Sequence, residues 1–239
     1  MKILIIPDVH GQPDWKEYIK EEVDYTIFLG DYFDNWSAAY KGKPAEENFQ
    51  DICSYVREDT EHRKMILGNH DFENYIMYGG CSGFQSDWYN EYNKALIQNI
   101  SLINICFELE GVVFSHAGIS KSWIKRIFNK TEVSVKEINE KFQTMIFDFV
   151  NYGNPSEIKK VFSYYDKDYS GYGEHIGQTP LWIRPTQLMQ NPYFTKQVVG
   201  HTELNEDNFC IQKNDNAIVL FADSKKHTPF VIDTEKVFN

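Results

Sequence analysis

Five short segments concentrate the residues able to do chemistry: Asp8-Val9-His10, Gly30-Asp31-Tyr32-Phe33-Asp34, Gly68-Asn69-His70-Asp71, Ser115-His116-Ala117-Gly118 and Gly200-His201-Thr202. Their side chains are hard oxygen donors and imidazoles, the ligands of cations such as Mn, Fe or Zn. Asp8, His10, Asp31, Asn69, His116 and His201 offer more donors than one closed tetrahedral zinc needs, which points to two ions. Two ions roughly 3.5–4 Å apart can hold a bridging hydroxide and clamp both oxygens of an in-line displacement at phosphorus. The chemistry suggested by this set is phosphoester hydrolysis.

Such a site needs elements that bring distant segments together, and the apolar pattern supplies them. Lys2–Ile6 reads as a strand leading into Asp8, and residues 25–29 as a second delivering Gly30-Asp31. Trp15, Tyr18, Ile19 and Val23 between them have helical spacing. A helical stripe of Phe49, Ile52, Cys53 and Val56 precedes a strand at 64–67 that delivers Gly68-Asn69-His70. This βαβαβ rhythm predicts parallel strands with the chemistry at their C-terminal ends. Beyond a helix through Trp88, Tyr92 and Leu96, runs at 102–109 and 112–114 flank Glu110-Gly111, a two-residue hairpin signal. Lys196–Val199, Cys210–Lys213, 217–222 and 230–232 predict a second, partly antiparallel sheet.

The expected organisation is one α/β domain over 1–239 with a helical and Tyr-rich insertion at about 131–179. Within it Ser134 and Glu137 form a capping-box pattern, Val133 and Ile138 a hydrophobic staple, and Gly153 a stop. Asn154 as N-cap and Pro155 at the first helical position start another helix, followed by Tyr164, Tyr165, Tyr169 and Tyr172. The formal charge of −11 argues against a nonspecific nucleic-acid surface, which is built on clustered Lys and Arg, so ions must supply much of the positive field at the site. No export signal and no apolar run of roughly 20 residues is present, so a cytoplasmic protein without membrane partners is expected. Cys53, Cys81, Cys106 and Cys210 lack CxxC spacing and are expected as reduced thiols, Cys53 and Cys106 in the core.

The ordered set DxH, GDxxD, GNHD, a downstream His and a final GH resembles the calcineurin-like metallophosphoesterase superfamily. Gly68-Asn69-His70-Asp71, Ser115-His116-Ala117-Gly118 and Gln197-Val198-Val199-Gly200-His201-Thr202 are closest to its phosphoprotein-phosphatase branch and bacterial or phage relatives. The resemblance runs in order from residue 3 to about 202; any one motif alone would be weak. It implies a two-sheet mixed β-sandwich flanked by helices and two divalent ions, Mn first, with Fe or Zn as alternatives. Asp8, His10 and Asp31 would hold the first ion, and Asp31, Asn69, His116 and His201 the second, making Asp31 the bridge. It further implies direct attack of metal-bound hydroxide, with His70 protonating the leaving oxygen and Asp34 orienting His70. The implied substrate is a phosphomonoester, with phosphoserine or phosphothreonine in protein as the first expectation. A dinucleoside polyphosphate is the enzymatic alternative, and a non-catalytic phosphate-binding module the alternative of another class.

Two departures from the family pattern stand out. The branch usually carries Arg after the GDxxD segment as a phosphate clamp, whereas this chain has Asn35 followed by Trp36, keeping a donor but losing the charge. Arg184, in Pro180-Leu181-Trp182-Ile183-Arg184-Pro185, is the expected replacement, because a planar guanidinium grips two phosphate oxygens. Gly200-His201-Thr202-Glu203 also lacks the second His of the GHxH ending common in nuclease-type members, which favours the phosphatase branch. His62 reads as part of a solvated face and His227, beside Lys225-Lys226, as a turn residue.

Overall fold

The computed structural model describes residues 1–19, 22–164, 174–205 and 207–238. Two five-stranded sheets stack on each other. The first has the order β10 (Phe230–Asp233), β1 (Lys2–Ile6), β2 (Tyr25–Phe28), β3 (Arg63–Ile66), β4 (Ile103–Asn104), and only β10 runs antiparallel to its neighbour. The second has the order β5 (Cys106–Leu109), β6 (Val112–Ser115), β7 (Lys196–Val199), β9 (Ile218–Phe221), β8 (Cys210–Lys213), with β6, β7 and β9 parallel. The expected mixed sandwich flanked by helices is what the chain forms.

The period-2 alternation of each strand divides the core. Ile3, Ile5, Ile27, Leu29 and Ile66 face the second sheet and meet Val112, Phe114, Val198 and Leu220. Leu4, Ile6, Phe28 and Met65 face the other way, toward α1 (Trp15–Tyr18), α2 (Lys43–Glu58), α3 (Tyr89–Asn99), α4 (Lys121–Phe128) and α5 (Val135–Tyr152), which bury Trp15, Phe49, Ile52, Tyr92, Leu96, Trp123, Ile138 and Phe142. On the far side of the second sheet, Val199, Val219 and Phe221 pack under Leu188 and Met189 of the short helix Pro185–Gln190. Full burial of such side chains contributes about 1.5–3 kcal/mol each, so strand positions are fixed from both faces. That rigidity matters for loops that must aim ligands.

Two strand expectations are corrected. The run 102–109 is not one strand: β4 ends at Asn104 in the first sheet and β5 starts at Cys106 in the second. Asn139 of α5 makes the crossover possible, its Oδ1 accepting from Ile105 N (3.0 Å) and Cys106 N (3.2 Å) and its Nδ2 donating to Cys106 O (2.8 Å). The strand at 230–232 joins the first sheet, where Ile3 pairs with Ile232, instead of completing the second. Other local expectations hold. Glu110 (φ 49°) and Gly111 (φ 77°) turn the β5–β6 hairpin in the left-handed conformation that two-residue turns require. Ser134 and Glu137 form a reciprocal capping box, and Gly153 (φ 70°) ends α5. The next helix starts one residue later than expected, at Ser156, with Asn154 Oδ1 accepting from Ser156 N at 3.0 Å. Cys53 and Cys106 are buried free thiols. Tyr165, Tyr169 and Tyr172 lie outside the described residues.

Candidate metal and phosphate site

The C-terminal ends of β1, β2 and β3 and of β6 and β7 point the same way and deliver the five segments to one edge of the sandwich. The loops there are unusually bent. His10 (φ 45°), Asp31 (φ 52°), Asp34 (φ 58°) and His201 (φ 65°) all occupy the left-handed region, which non-glycine residues enter at a cost and which clusters at functional sites. Two glycines make the approach possible. A Cβ on Gly68 would lie 2.0 Å from Asp31 Oδ1, and one on Gly200 would lie 2.4 Å from Asp8 Oδ1.

Asp31 is the centre of the arrangement. Its Oδ1 accepts from His70 N at 2.9 Å, which leaves Oδ2 turned to two imidazoles, 3.9 Å from His10 Nε2 and 3.6 Å from His116 Nε2. Burial opposes its charge, and protonation of the histidines around it, His116 first, would hold the carboxyl down at about 2. Asp8 has the opposite fate. Burial, then the neighbouring charges of Asp223 and Asp31, push its carboxyl well above the usual range, although His201 N donates to Asp8 Oδ1 at 3.0 Å. A cation between these carboxylates would relieve that repulsion. Ligand atoms of Asp8, Asp31 and His116 all lie within 4.8 Å of one another, and all three residues are buried.

The imidazoles carry a second signature. Burial lowers the pKa of both His10 and His116, so each is neutral, and each has its Nδ1 against a backbone carbonyl: Phe33 O at 3.1 Å and Leu29 O at 2.8 Å. The proton therefore belongs on Nδ1, and Nε2 is a bare lone pair turned inward, the usual tautomer of an anchored metal ligand. For His116 that lone pair faces Asn69 Oδ1, another acceptor, at 2.7 Å. With the proton on Nδ1, two acceptors at that separation suit a cation that both of them ligate. His201 Nδ1 is 3.0 Å from the same oxygen, and its buried Nε2 has no hydrogen-bond partner among the described residues. The donor set thus fits divalent ions.

His70 stands apart from this group chemically. Burial works against its proton, but Asp31, Asp34 and Asp71 outweigh it and raise the pKa to about 9. Its Nδ1 is 3.0 Å from Asp34 Oδ2, and the buried Asp34 also accepts from Asn74 Nδ2 and Tyr75 Oη. Those last two donors come from a π-helical turn, Asp71–Ile76, a widened geometry found at functional sites.

The flanking candidates are placed as follows. Asn35 is buried, its Nδ2 donating to His10 O and its Oδ1 accepting from Ser37 N at 2.7 Å, so its polar atoms hold the loop backbone. Arg184 reaches the His201 loop, with Nη1 donating to Thr202 Oγ1 at 3.0 Å. Burial lowers its pKa, and the charge of Asp8 acts in the opposite sense.

Several contacts at the site have no signal in the motifs. The Asp71 carboxylate accepts from Asp31 N (2.9 Å), Tyr32 N (2.8 Å) and Gly68 N (3.0 Å), tying the β2 and β3 loops together. His227 is not a plain turn residue. Its Nδ1 lies 2.7 Å from the buried Asp223 and its ring 5.0 Å from that of His10. Glu73 accepts from Ser163 Oγ (2.5 Å), Tyr164 N (2.9 Å) and Trp182 Nε1 (3.2 Å), joining the π-helical turn to the 163–182 region. Asn74 and Glu73 could have been suspected from their polarity within an otherwise apolar turn, Phe72 to Ile76.

Residues 1–222 match the calcineurin-like phosphoesterases as a family. No curated protein matches the chain in sequence. Among solved structures, a mutant of a cold-active protein tyrosine phosphatase is similar at a TM-score of 0.61 and 17% identity, over 97% of this chain and 75% of that one. A protein serine/threonine phosphatase from Saccharomyces cerevisiae is similar at a TM-score of 0.51 and 13% identity, over 94% and 67% of the respective chains. At those identities the likeness is one of fold. No helix among the described residues is long and apolar enough to cross a membrane.

Proposed function

The chain belongs to the calcineurin-like phosphoesterase family, and from that premise we propose that it is a two-metal phosphomonoesterase acting on phosphorylated protein side chains. Membership makes it a metal-dependent phosphoric ester hydrolase with a phosphorylated substrate; the ion number, the ion identity and the substrate class are the proposal. The observation that carries it is the nearness of Asp31 Oδ2 to both His10 Nε2 (3.9 Å) and His116 Nε2 (3.6 Å), as a carboxylate serving two ions would require.

On this reading Asp8, His10 and Asp31 hold one ion and Asp31, Asn69, His116 and His201 the other, with manganese proposed first and iron or zinc as alternatives. Bound divalent ions would neutralise phosphoryl charge and lower the pKa of a water molecule. His70, held by Asp34, gives its proton to the leaving oxygen as the bond from phosphorus to that oxygen breaks. Arg184 lies beside the His201 loop, where its guanidinium can take phosphoryl oxygens. A binding module would have no use for a charged His–Asp pair aimed at a leaving group, which is why the catalytic reading is preferred.

The test is a screen with Mn, Fe or Zn added, comparing phosphopeptides with dinucleoside polyphosphates while elemental analysis counts bound metal. Two ions per chain and turnover of phosphopeptides are expected. Turnover of dinucleoside polyphosphates alone would replace the substrate class. Phosphate binding without turnover of either would replace the enzymatic reading with the binding module.

A further inference from the structure

Trp36 stands where it would meet whatever leaves with the His70 proton. Its side chain is 60% exposed, unusual for an indole, yet it is not loose on the surface. Its ring centroid is 5.5 Å from that of His10 and 6.4 Å from that of His70, edge-on to both. Behind it lies Gly83, where an added Cβ would touch the indole at 3.5 Å. Asn35, immediately before it, is bonded to His10 O and Ser37 N, which fixes the backbone on both sides of the indole. The residue is thus held with an open aromatic face at the mouth of the site.

Its position in the reaction follows from the in-line geometry. The group displaced from phosphorus departs opposite the attacking oxygen, toward the acid that protonates it. That acid is His70 on the reading proposed above, on which this inference rests. A leaving group taking the His70 proton therefore lies beside the Trp36 ring. A short alkyl alcohol such as a serine side chain would leave that face wet. A phenol would cover it, and aromatic pairs contribute about 0.5–1.5 kcal/mol beyond the area they bury.

We propose that Trp36 selects aryl phosphomonoesters, phosphotyrosine in protein foremost, by stacking on the aromatic leaving group. This narrows the expectation of phosphoserine or phosphothreonine. The reaction is a hydrolysis: the phosphorus–phenol oxygen bond breaks, a phosphorus–oxygen bond to water's oxygen forms, His70 supplies the proton taken up by the phenolate, and the proton lost by the attacking water passes to solvent, from which His70 is reprotonated.

Two measurements on the Mn-loaded full chain test it, with Trp36→Ala and Trp36→Phe compared to wild type. Calorimetry with phenylphosphonate and propylphosphonate, which cannot be hydrolysed, should show the preference for the aryl ligand falling about tenfold in Trp36→Ala and surviving in Trp36→Phe. Steady-state kinetics on one peptide carrying phosphotyrosine or phosphothreonine should show the ratio of kcat/KM values falling by a similar factor in Trp36→Ala alone. If both phosphopeptides are turned over but the ratio and the phosphonate preference are the same in all three proteins, the stacking role is overturned and the phosphatase reading stands. If only free phenyl phosphate, and no phosphotyrosine peptide, profits from the indole, the protein substrate is overturned. Absence of turnover on every phosphomonoester would remove both readings together.

Discussion

His70 Nδ1 lies 3.0 Å from Asp34 Oδ2, and Asp34 is itself held by Asn74 and Tyr75 from the turn that follows His70. The acid and its orienting carboxylate are thus locked by one stretch of chain. His70→Asn should lower kcat by about 10²–10⁴-fold while leaving metal content intact, because its Nδ1 is held by Asp34 and its contact with Asp31 is made by the backbone N–H, which the substitution keeps. The loss should shrink on phosphates whose leaving group needs little protonation. Equal losses on alkyl and activated aryl esters would count against the acid role.

The same pair sets a pH dependence whose sign can be worked out. The acid must carry a proton, so activity falls as pH rises through the pKa of His70. Asp34 is among the charges that raise that pKa. Removing the charge in Asp34→Asn should therefore move the basic limb of the kcat profile to lower pH. A limb that stays in place or moves upward would show that Asp34 does not govern the proton.

Gly68 carries a prediction about metal rather than protons. An alanine Cβ there would fall 2.0 Å from Asp31 Oδ1 and 2.2 Å from Asp31 N, atoms that cannot both yield because Asp71 holds the amide and His70 N holds the carboxylate. Gly68→Ala should cost about 1–3 kcal/mol of stability, as overpacking does, and weaken metal binding in the same variant. Calorimetric titration with Mn²⁺ and a denaturation curve report the two effects separately. Unchanged metal affinity would mean that Asp31 is not a ligand.

Much of this site is written in local sequence, and the reason is physical. Asp8, Asp31 and Asn69 each follow a short apolar strand, and a parallel sheet has little choice about where its C-terminal ends lie. Hairpin and helix-end signals were equally local, as at Glu110-Gly111 and Ser134. What sequence could not supply were contacts made at long separation. Asn139 reaching back to residues 105–106 breaks a run of uniformly strand-like residues, and the pairing of Ile3 with Ile232 spans nearly the whole chain. His227 reads as a turn residue because nothing near it in sequence announces that His10 faces it, although its partner Asp223 is only four residues away.

The capping box at the start of α5 offers a stability test away from the chemistry. Ser134 Oγ accepts from Glu137 N at 3.2 Å, and Glu137 Oε2 accepts from Ser134 N at 2.9 Å. Ser134→Ala should cost about 1 kcal/mol in chemical denaturation. Lys130 and the Ser134 contacts hold the Glu137 carboxyl at about 2, below its ordinary 4.5. A depressed carboxyl stabilises the fold above its unfolded pKa, so this contribution is present above about pH 4.5 and is lost as pH falls toward 2. The difference between wild type and Glu137→Gln should shrink over that window, and a difference independent of pH would exclude the charge as its source.

Arg184 bears the consequence of the missing clamp. With Asn35 committed to the backbone of its own loop, the guanidinium beside Thr202 is an arginine that the described residues bring to the site for phosphate. Arg126 does not compete for the task, since its Nη1 and Nη2 donate to Lys160 O (3.0 Å) and Gly177 O (3.2 Å). Losing a charge-assisted contact commonly costs about 1.5–3 kcal/mol, so Arg184→Ala should lower kcat/KM roughly 10–150-fold without releasing metal. Arg184→Lys should recover only part of the loss, because a point charge cannot reproduce a two-pronged grip. Kinetics and metal analysis on the two variants separate the possibilities: metal lost along with activity would make Arg184 a support for the His201 loop, and wild-type kinetics in the alanine variant would remove it from phosphate recognition.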